Sequence, residues 1–117
     1  MKRISATAEI AKTAIVHDDV EIGDNVTIGH GAIVHGCKIG NNVLIGMGAI
    51  ILDGAVIEDN CIIGAGSLVP QNKKIPSNSL GFGNPFVIKR EVTEEEKEHI
   101  IWNANEYVLE AKKYEKS

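Results

Sequence analysis

The chain has 117 residues, 12 Lys and Arg against 16 Asp and Glu, 44% hydrophobic residues but only 4% aromatic ones, and 12 glycines. That is length for one domain and not two; the net charge of −4 supplies no cluster of cations for a phosphate backbone, and no apolar run approaches the roughly 20 residues of a bilayer span. The opening Met1-Lys2-Arg3-Ile4-Ser5-Ala6-Thr7 lacks a signal-peptide core, so a cytoplasmic protein without nucleic-acid or membrane partners is expected.

From the first residues an aliphatic side chain recurs every six positions: Ile4, Ile10, Val16, Ile22, Ile28, Val34. After a single five-residue step the spacing resumes at Ile39, Ile45, Ile51, Ile57, Ile63 and Val69. Four positions after nearly every one of them stands a small residue, among them Ala8, Ala14, Ala32, Ala49, Ala55, Cys61 and Ser67. A helix repeats at 3.6 and a half-buried strand at 2, so a sustained period of six predicts a hexapeptide-repeat β-helix. Three hexads make one triangular coil of about 18 residues. The expected coils are 4–21, 22–38 (one residue short), 39–56 and a last one from Ile57, about four in all within 4–73. Stacking at about 4.8 Å places each Ile on that of the next coil, which explains a core poor in rings. Cys37 and Cys61 match no disulfide or zinc framework and read as small interior residues.

Past Val69 the repeat fails. Pro70, Pro76 and Pro85, with Gly81 and Gly83, predict an irregular connection through 74–92 that holds no regular element. Thr93-Glu94-Glu95-Glu96 is a capping box and opens a C-terminal α-helix, the segment 93–116. Ile100, Ala104, Tyr107, Ala111 and Tyr114 form its apolar stripe, expected against the prism or a neighbouring subunit. Lys112, Lys113 and Lys116 suit the negative end of its dipole. The whole, 1–117, is a single domain.

Three of the four histidines lie on the coils. His17 follows Val16 and His35 follows Val34, the same slot one coil apart, so their side chains must point the same way. His30 lies across a corner on another face, from which it cannot reach that pair in its own chain but can reach a neighbour's. A homotrimer of parallel prisms would therefore build three sites, each from His17 and His35 of one subunit and His30 of the next. Three imidazoles with an open position suit a catalytic zinc, with iron or cobalt as other occupants, one metal per subunit interface, and the metal would lower the pKa of its water towards about 7. His99 has no partner implied by spacing and reads as solvated.

Gly29-His30-Gly31-Ala32-Ile33-Val34-His35-Gly36-Cys37 resembles the GHxxxxHGC segment of the gamma-class carbonic anhydrases. Ile45-Gly46-Met47-Gly48-Ala49, Ile63-Gly64-Ala65-Gly66-Ser67, Gly83-Asn84-Pro85 and Asn103-Ala104-Asn105-Glu106-Tyr107-Val108 are similar to later parts of that family. The resemblance implies a left-handed β-helix trimer, the three histidines as metal ligands, and reversible hydration of carbon dioxide to bicarbonate, a lyase activity. Asp18 or Asp19 would then relay protons. The chain departs from the family at Ala11-Lys12, where a Gln-Asp pair is usual, and a coil carrying an Arg-x-Asp pair would fall before Met1. Two other functions are compatible with the repeat: a hexapeptide-repeat acyltransferase with a histidine base and coenzyme A as donor carrier, and a noncatalytic metal-binding trimeric scaffold.

Overall fold

The computed structural model describes residues 2–102. Each hexad folds as one two-residue strand, whose second residue points inward, and a corner. The first coil holds β1 (Arg3–Ile4), β2 (Glu9–Ile10) and β3 (Ile15–Val16); the second β4 (Glu21–Ile22), β5 (Thr27–Ile28) and β6 (Ile33–Val34). The third holds β7 (Lys38–Ile39), β8 (Leu44–Ile45) and β9 (Ile50–Ile51), and the fourth β10 (Val56–Ile57), β11 (Ile62–Ile63) and β12 (Leu68–Val69). Strands one coil apart pair in parallel and make three flat faces: β1-β4-β7-β10 on the first, β2-β5-β8-β11 on the second, and β3-β6-β9-β12 on the third. The result is a left-handed parallel β-helix followed by one helix, the architecture expected from the repeat.

Register shows how the inward residues stack. Ile10 lies on Ile28 and Ile28 on Ile45; Ile22 lies on Ile39 and Ile39 on Ile57. Ile28, Ile45, Ile51, Ile57 and Ile63 are at most 1% exposed, and Ala32, Ala49 and Cys61 fill the narrow interior between them. Burial, and secondarily the Asp53 charge, push the Cys37 thiol up to about 12, so it is a packing residue and not a nucleophile. Corners between the first and second faces use Asn25, Asn42, Asn60 and Asn78, all at positive φ. The amide of Asn25 donates to Asn42 Oδ1 at 3.1 Å and that of Asn42 to Asn60 Oδ1 at 3.3 Å, tying the corners into a ladder.

The segment 74–92 is not the irregular connection that its prolines suggested. β13 (Lys74–Ile75) extends the first face and β14 (Ser79–Phe82) the second, both in parallel, and β15 (Val87–Glu91) turns back antiparallel onto β14. One coil below, Leu52 and Glu58 donate their N–H groups upward to Val69 and Ile75. Pro70 and Pro76 occupy the corresponding places on the last strands of the third and first faces. Beyond β13 the first face has no further strand among the described residues, so Pro76 forfeits no ladder bond, while over the third face the segment 83–86 closes the end, Leu68 N–H donating to Gly83 O and Phe86 N–H to Leu68 O, both 2.9 Å. Phe86 joins the aliphatic core and Val92 is buried beside this end.

The capping box forms as expected. Thr93 Oγ1 accepts the Glu96 N–H at 3.1 Å, and Glu96 Oε1 accepts the Thr93 N–H at 2.9 Å. Helix α1 occupies 94–102 of the described residues, with Ile100 buried. Ala104, Tyr107, Ala111, Tyr114, Lys112, Lys113 and Lys116 lie outside the described residues. Arg90 grips the same Glu96 carboxylate with two bonds, at 2.7 and 2.9 Å. First that guanidinium and then the Thr93 N–H hold the Glu96 carboxyl down to about 2. A depressed carboxylate pKa contributes stability that is present above the ordinary value of 4.5 and is lost as pH falls through about 2. Far-ultraviolet circular dichroism is therefore expected to show the helix start loosening across that window, and Glu96→Gln is expected to remove the pH dependence. No helix among the described residues is long and apolar enough to cross a membrane.

Candidate functional site at a shortened corner

β3 and β6 pair with Ile15 on Ile33 and Val16 on Val34, which puts the next residues, His17 and His35, directly above one another. Their rings stack with centroids 4.5 Å apart and planes 6° from parallel. The backbone holds them there: His17 N–H donates to Val34 O at 2.8 Å and His35 N–H to Ile51 O at 2.9 Å.

The corner after each histidine differs in length. Coil one turns through His17-Asp18-Asp19-Val20 and coil three through Leu52-Asp53-Gly54-Ala55, with Asp19 and Gly54 at positive φ. Coil two turns through His35-Gly36-Cys37 and lacks that left-handed residue. The omission shows in the ladder, where partners are 18 apart from Val16 to Val34 but 17 apart from Glu21 to Lys38. It leaves a depression of ≈500 Å³ lined by His17, Asp18, Asp19, His35, Gly36 and Asp53. Asp53 Oδ1 accepts the Gly36 N–H at 2.9 Å across it. Two imidazoles and three carboxylates thus surround an open recess. It can accept a small polar molecule and take a proton from it.

His17 and His35 meet as their spacing requires, and Asp18 and Asp19 line the same recess. His30 does not join them. It follows β5, and its Nδ1 lies 3.2 Å from Thr13 Oγ1, which also accepts the Gly31 N–H at 3.0 Å. Among the described residues of one chain, no three His, Cys, Asp or Glu side chains come together as a metal-holding group. His99 is not simply solvated: it meets Trp102 edge-on with centroids 6.0 Å apart. Asp53 was missed by sequence reasoning. Its signal was positional: it stands one coil after Gly36, as Asn41 stands one coil after Asp24 and Asp59 one coil after Asn41, and each of the three accepts the N–H of the residue below it.

Known proteins share parts of this sequence and fold. The family model described as "Bacterial transferase hexapeptide (six repeats)" matches residues 36–71. No curated protein matches the chain. Among solved structures, the hexapeptide transferase family protein of Anaplasma phagocytophilum is 28% identical with a TM-score of 0.78, over 96% of this chain and 92% of that one. The maltose O-acetyltransferase of Clostridium difficile 630 is 25% identical with a TM-score of 0.64, over 79% and 70%. The serine acetyltransferase of Brucella abortus, solved with coenzyme A, is 30% identical with a TM-score of 0.52, over 78% of this chain and 40% of that one.

These neighbours overturn the expectation of a gamma-class carbonic anhydrase, a zinc lyase hydrating carbon dioxide: the similar structures are transferases and acetyltransferases. The physical reason is that much of the resembling segment is repeat. Val34 and Cys37 are interior residues and Gly31 is a corner at positive φ, positions any chain of this fold must fill in a similar way.

Proposed function

We propose that this hexapeptide-repeat chain is an acyltransferase whose base is His35, in the recess it shares with His17 and Asp53. The observation that supports the reading is chain-long likeness to a transferase, together with likeness to named acetyltransferases, in a protein whose stacked histidines open onto a recess. The donor would be an acyl thioester of coenzyme A and the acceptor a hydroxyl or an amine. His35 Nε2 or Nδ1 takes the acceptor proton as the acceptor atom attacks the thioester carbonyl. The tetrahedral intermediate then expels the coenzyme A sulfur, which recovers that proton from the imidazolium. His17, stacked on His35, restricts the ring to one plane.

The test is acetyl-coenzyme A offered with a panel of small alcohols and amines, reading the thiol released. Cys37 and Cys61 are both buried, so the protein itself adds little to that signal. Acceptor-dependent release is expected. No release with any acceptor, together with no heat of coenzyme A binding in calorimetry, would sink the proposal.

A second reading concerns metal, and the parallel imidazole pair favours it. We propose that His17 and His35 of one subunit and His30 of a neighbour form the donor set for a divalent transition-metal ion within a homotrimer. Hexapeptide-repeat proteins commonly form trimers, and the outer side chains Ile15 and Met47, 53% and 60% exposed, suit contact with a neighbour. Thr13 Oγ1 can accept from His30 Nδ1–H, which leaves Nε2 free to bind. Bound there, the ion would act as a Lewis acid or as structural glue between subunits. Titration with cobalt(II) is expected to give one ligand-field spectrum per subunit, abolished by His30→Ala as well as by His17→Ala. Metal without acyl transfer would identify a noncatalytic scaffold; a spectrum untouched by His30→Ala would remove the shared site.

A further inference from the structure

We propose that Asp53 is a positioning residue for His35, acting through the backbone of Gly36; its effect on turnover rests on the acyl-transfer reading, while its effect on geometry does not. The second residue after a strand, such as Asp24, Gly36 or Asn41, has an N–H that no strand ladder uses. In this chain it is repeatedly capped by a side-chain oxygen from the corner above. Asn41 Oδ1 accepts the Asp24 N–H at 2.8 Å, and Asp59 Oδ1 accepts the Asn41 N–H at 2.7 Å. Asp53 Oδ1 does the same for Gly36 at 2.9 Å.

At Gly36 the bond carries more consequence. The other two corners have an extra residue at positive φ to complete the turn, and this one does not. Coil two therefore turns from the third face to the first in one residue fewer. The Asp53 cap and the Gly54 N–H, which donates to Gly36 O at 2.8 Å, hold Gly36 from both sides of its backbone. The space admits little else. A Cβ on Gly36 would stand 3.3 Å from Asp53 Oδ1 and 3.4 Å from Asp19 O. Because His35 is the adjacent residue, this hold on Gly36 anchors the C-terminal side of the His35 backbone as the bond to Ile51 O anchors its N-terminal side, and the two together orient the Cα–Cβ bond that lays the ring on His17. The carboxylate on coil three thus completes, with the ladder bonds of His17 and His35, the hold on the ring pair of coils one and two.

The chain itself contains the discriminating substitution, since both Asn41 and Asp59 perform this capping: an amide oxygen can replace a carboxylate oxygen. Asp53→Asn is expected to keep the cap and Asp53→Ala to lose it. The readout without substrate is the pair of His17 and His35 ring resonances in heteronuclear NMR, which carry mutual ring-current shifts while stacked. Those shifts are expected to collapse in Asp53→Ala and to persist in Asp53→Asn. With acceptor and acetyl-coenzyme A, Asp53→Ala is expected to lower kcat by about 10- to 100-fold, the range that follows from misplacing a reacting group by about 1 Å, with a smaller change in KM; Asp53→Asn should retain most of the rate. Asp59→Ala removes the same type of bond at a corner remote from the histidines and controls for general loosening. Ring shifts unchanged in Asp53→Ala, equal losses in Asp53→Asn and Asp53→Ala, or the same effect from Asp59→Ala would each overturn the proposal. A wild-type protein inactive with every acceptor would remove the acyl-transfer reading and leave the resonance comparison to decide the role of Asp53.

Discussion

Replacing His35 with alanine is expected to lower coenzyme A-dependent acyl transfer by about 10²- to 10⁴-fold, the range that a positioned general base contributes. The residual rate would come from binding donor and acceptor side by side. The fold should survive, because the ladder bond at this position is made by the His35 backbone to Ile51 O and not by the ring. Loss should appear in kcat more than in the donor KM, since the recess around His35 is small compared with a coenzyme. His17→Ala is expected to cost less, as it removes the ring that steadies the base and not the base. Steady-state kinetics on the two variants check both points; His35→Ala with wild-type kcat would exclude the imidazole as base.

The second large effect is in the core. Ile45→Ala is expected to destabilise the protein by roughly 2–5 kcal/mol, the transfer term plus the cavity left behind. Ile45 lies between Ile28 and Ile63, and all three are at most 1% exposed. Collapse into the void is opposed from both flanks. Leu44 N–H donates to Cys61 O at 3.0 Å and Gly46 N–H to Ile63 O at 2.8 Å, so the coil cannot sink without breaking its ladder. In a solenoid each coil contacts only its neighbours, and no distant element can fill the gap. A drop in Tm of about 10 °C or more is expected, and Ile45→Val should cost only about 0.5–1.5 kcal/mol. Denaturant unfolding of both variants measures the difference; an Ile45→Ala cost below that of Ile45→Val would show that the interior relaxes freely.

The candidate site was partly legible before any coordinates. His17 and His35 occupy one slot of successive coils, so their juxtaposition follows from counting 18 residues along a repeat whose pitch is known. Thr93 and Glu96 are equally local, because a capping box is made by residues three apart. Asp53 was not legible in that way. Its bond to Gly36 spans 17 positions, and nothing near Gly36 in the chain shows which side chain stands over that N–H. The strands in 74–91 were hidden for a related reason: Pro70 and Pro76 read as breakers unless one knows that each follows the last two-residue strand of its face. Chemistry was the least legible, since the repeat imposes similar glycines and aliphatic residues on proteins of different activity.

The sequence by itself determined the solenoid, its core and the stacking of the histidine pair, because a period of six admits one inward residue per strand and lateral position then follows from arithmetic. Tertiary structure alone decided the recess, the Asp53 cap and the closing strands. Each depends on what stands one coil above or below, and an N–H is satisfied or left idle by that neighbour and not by the residues beside it in the chain.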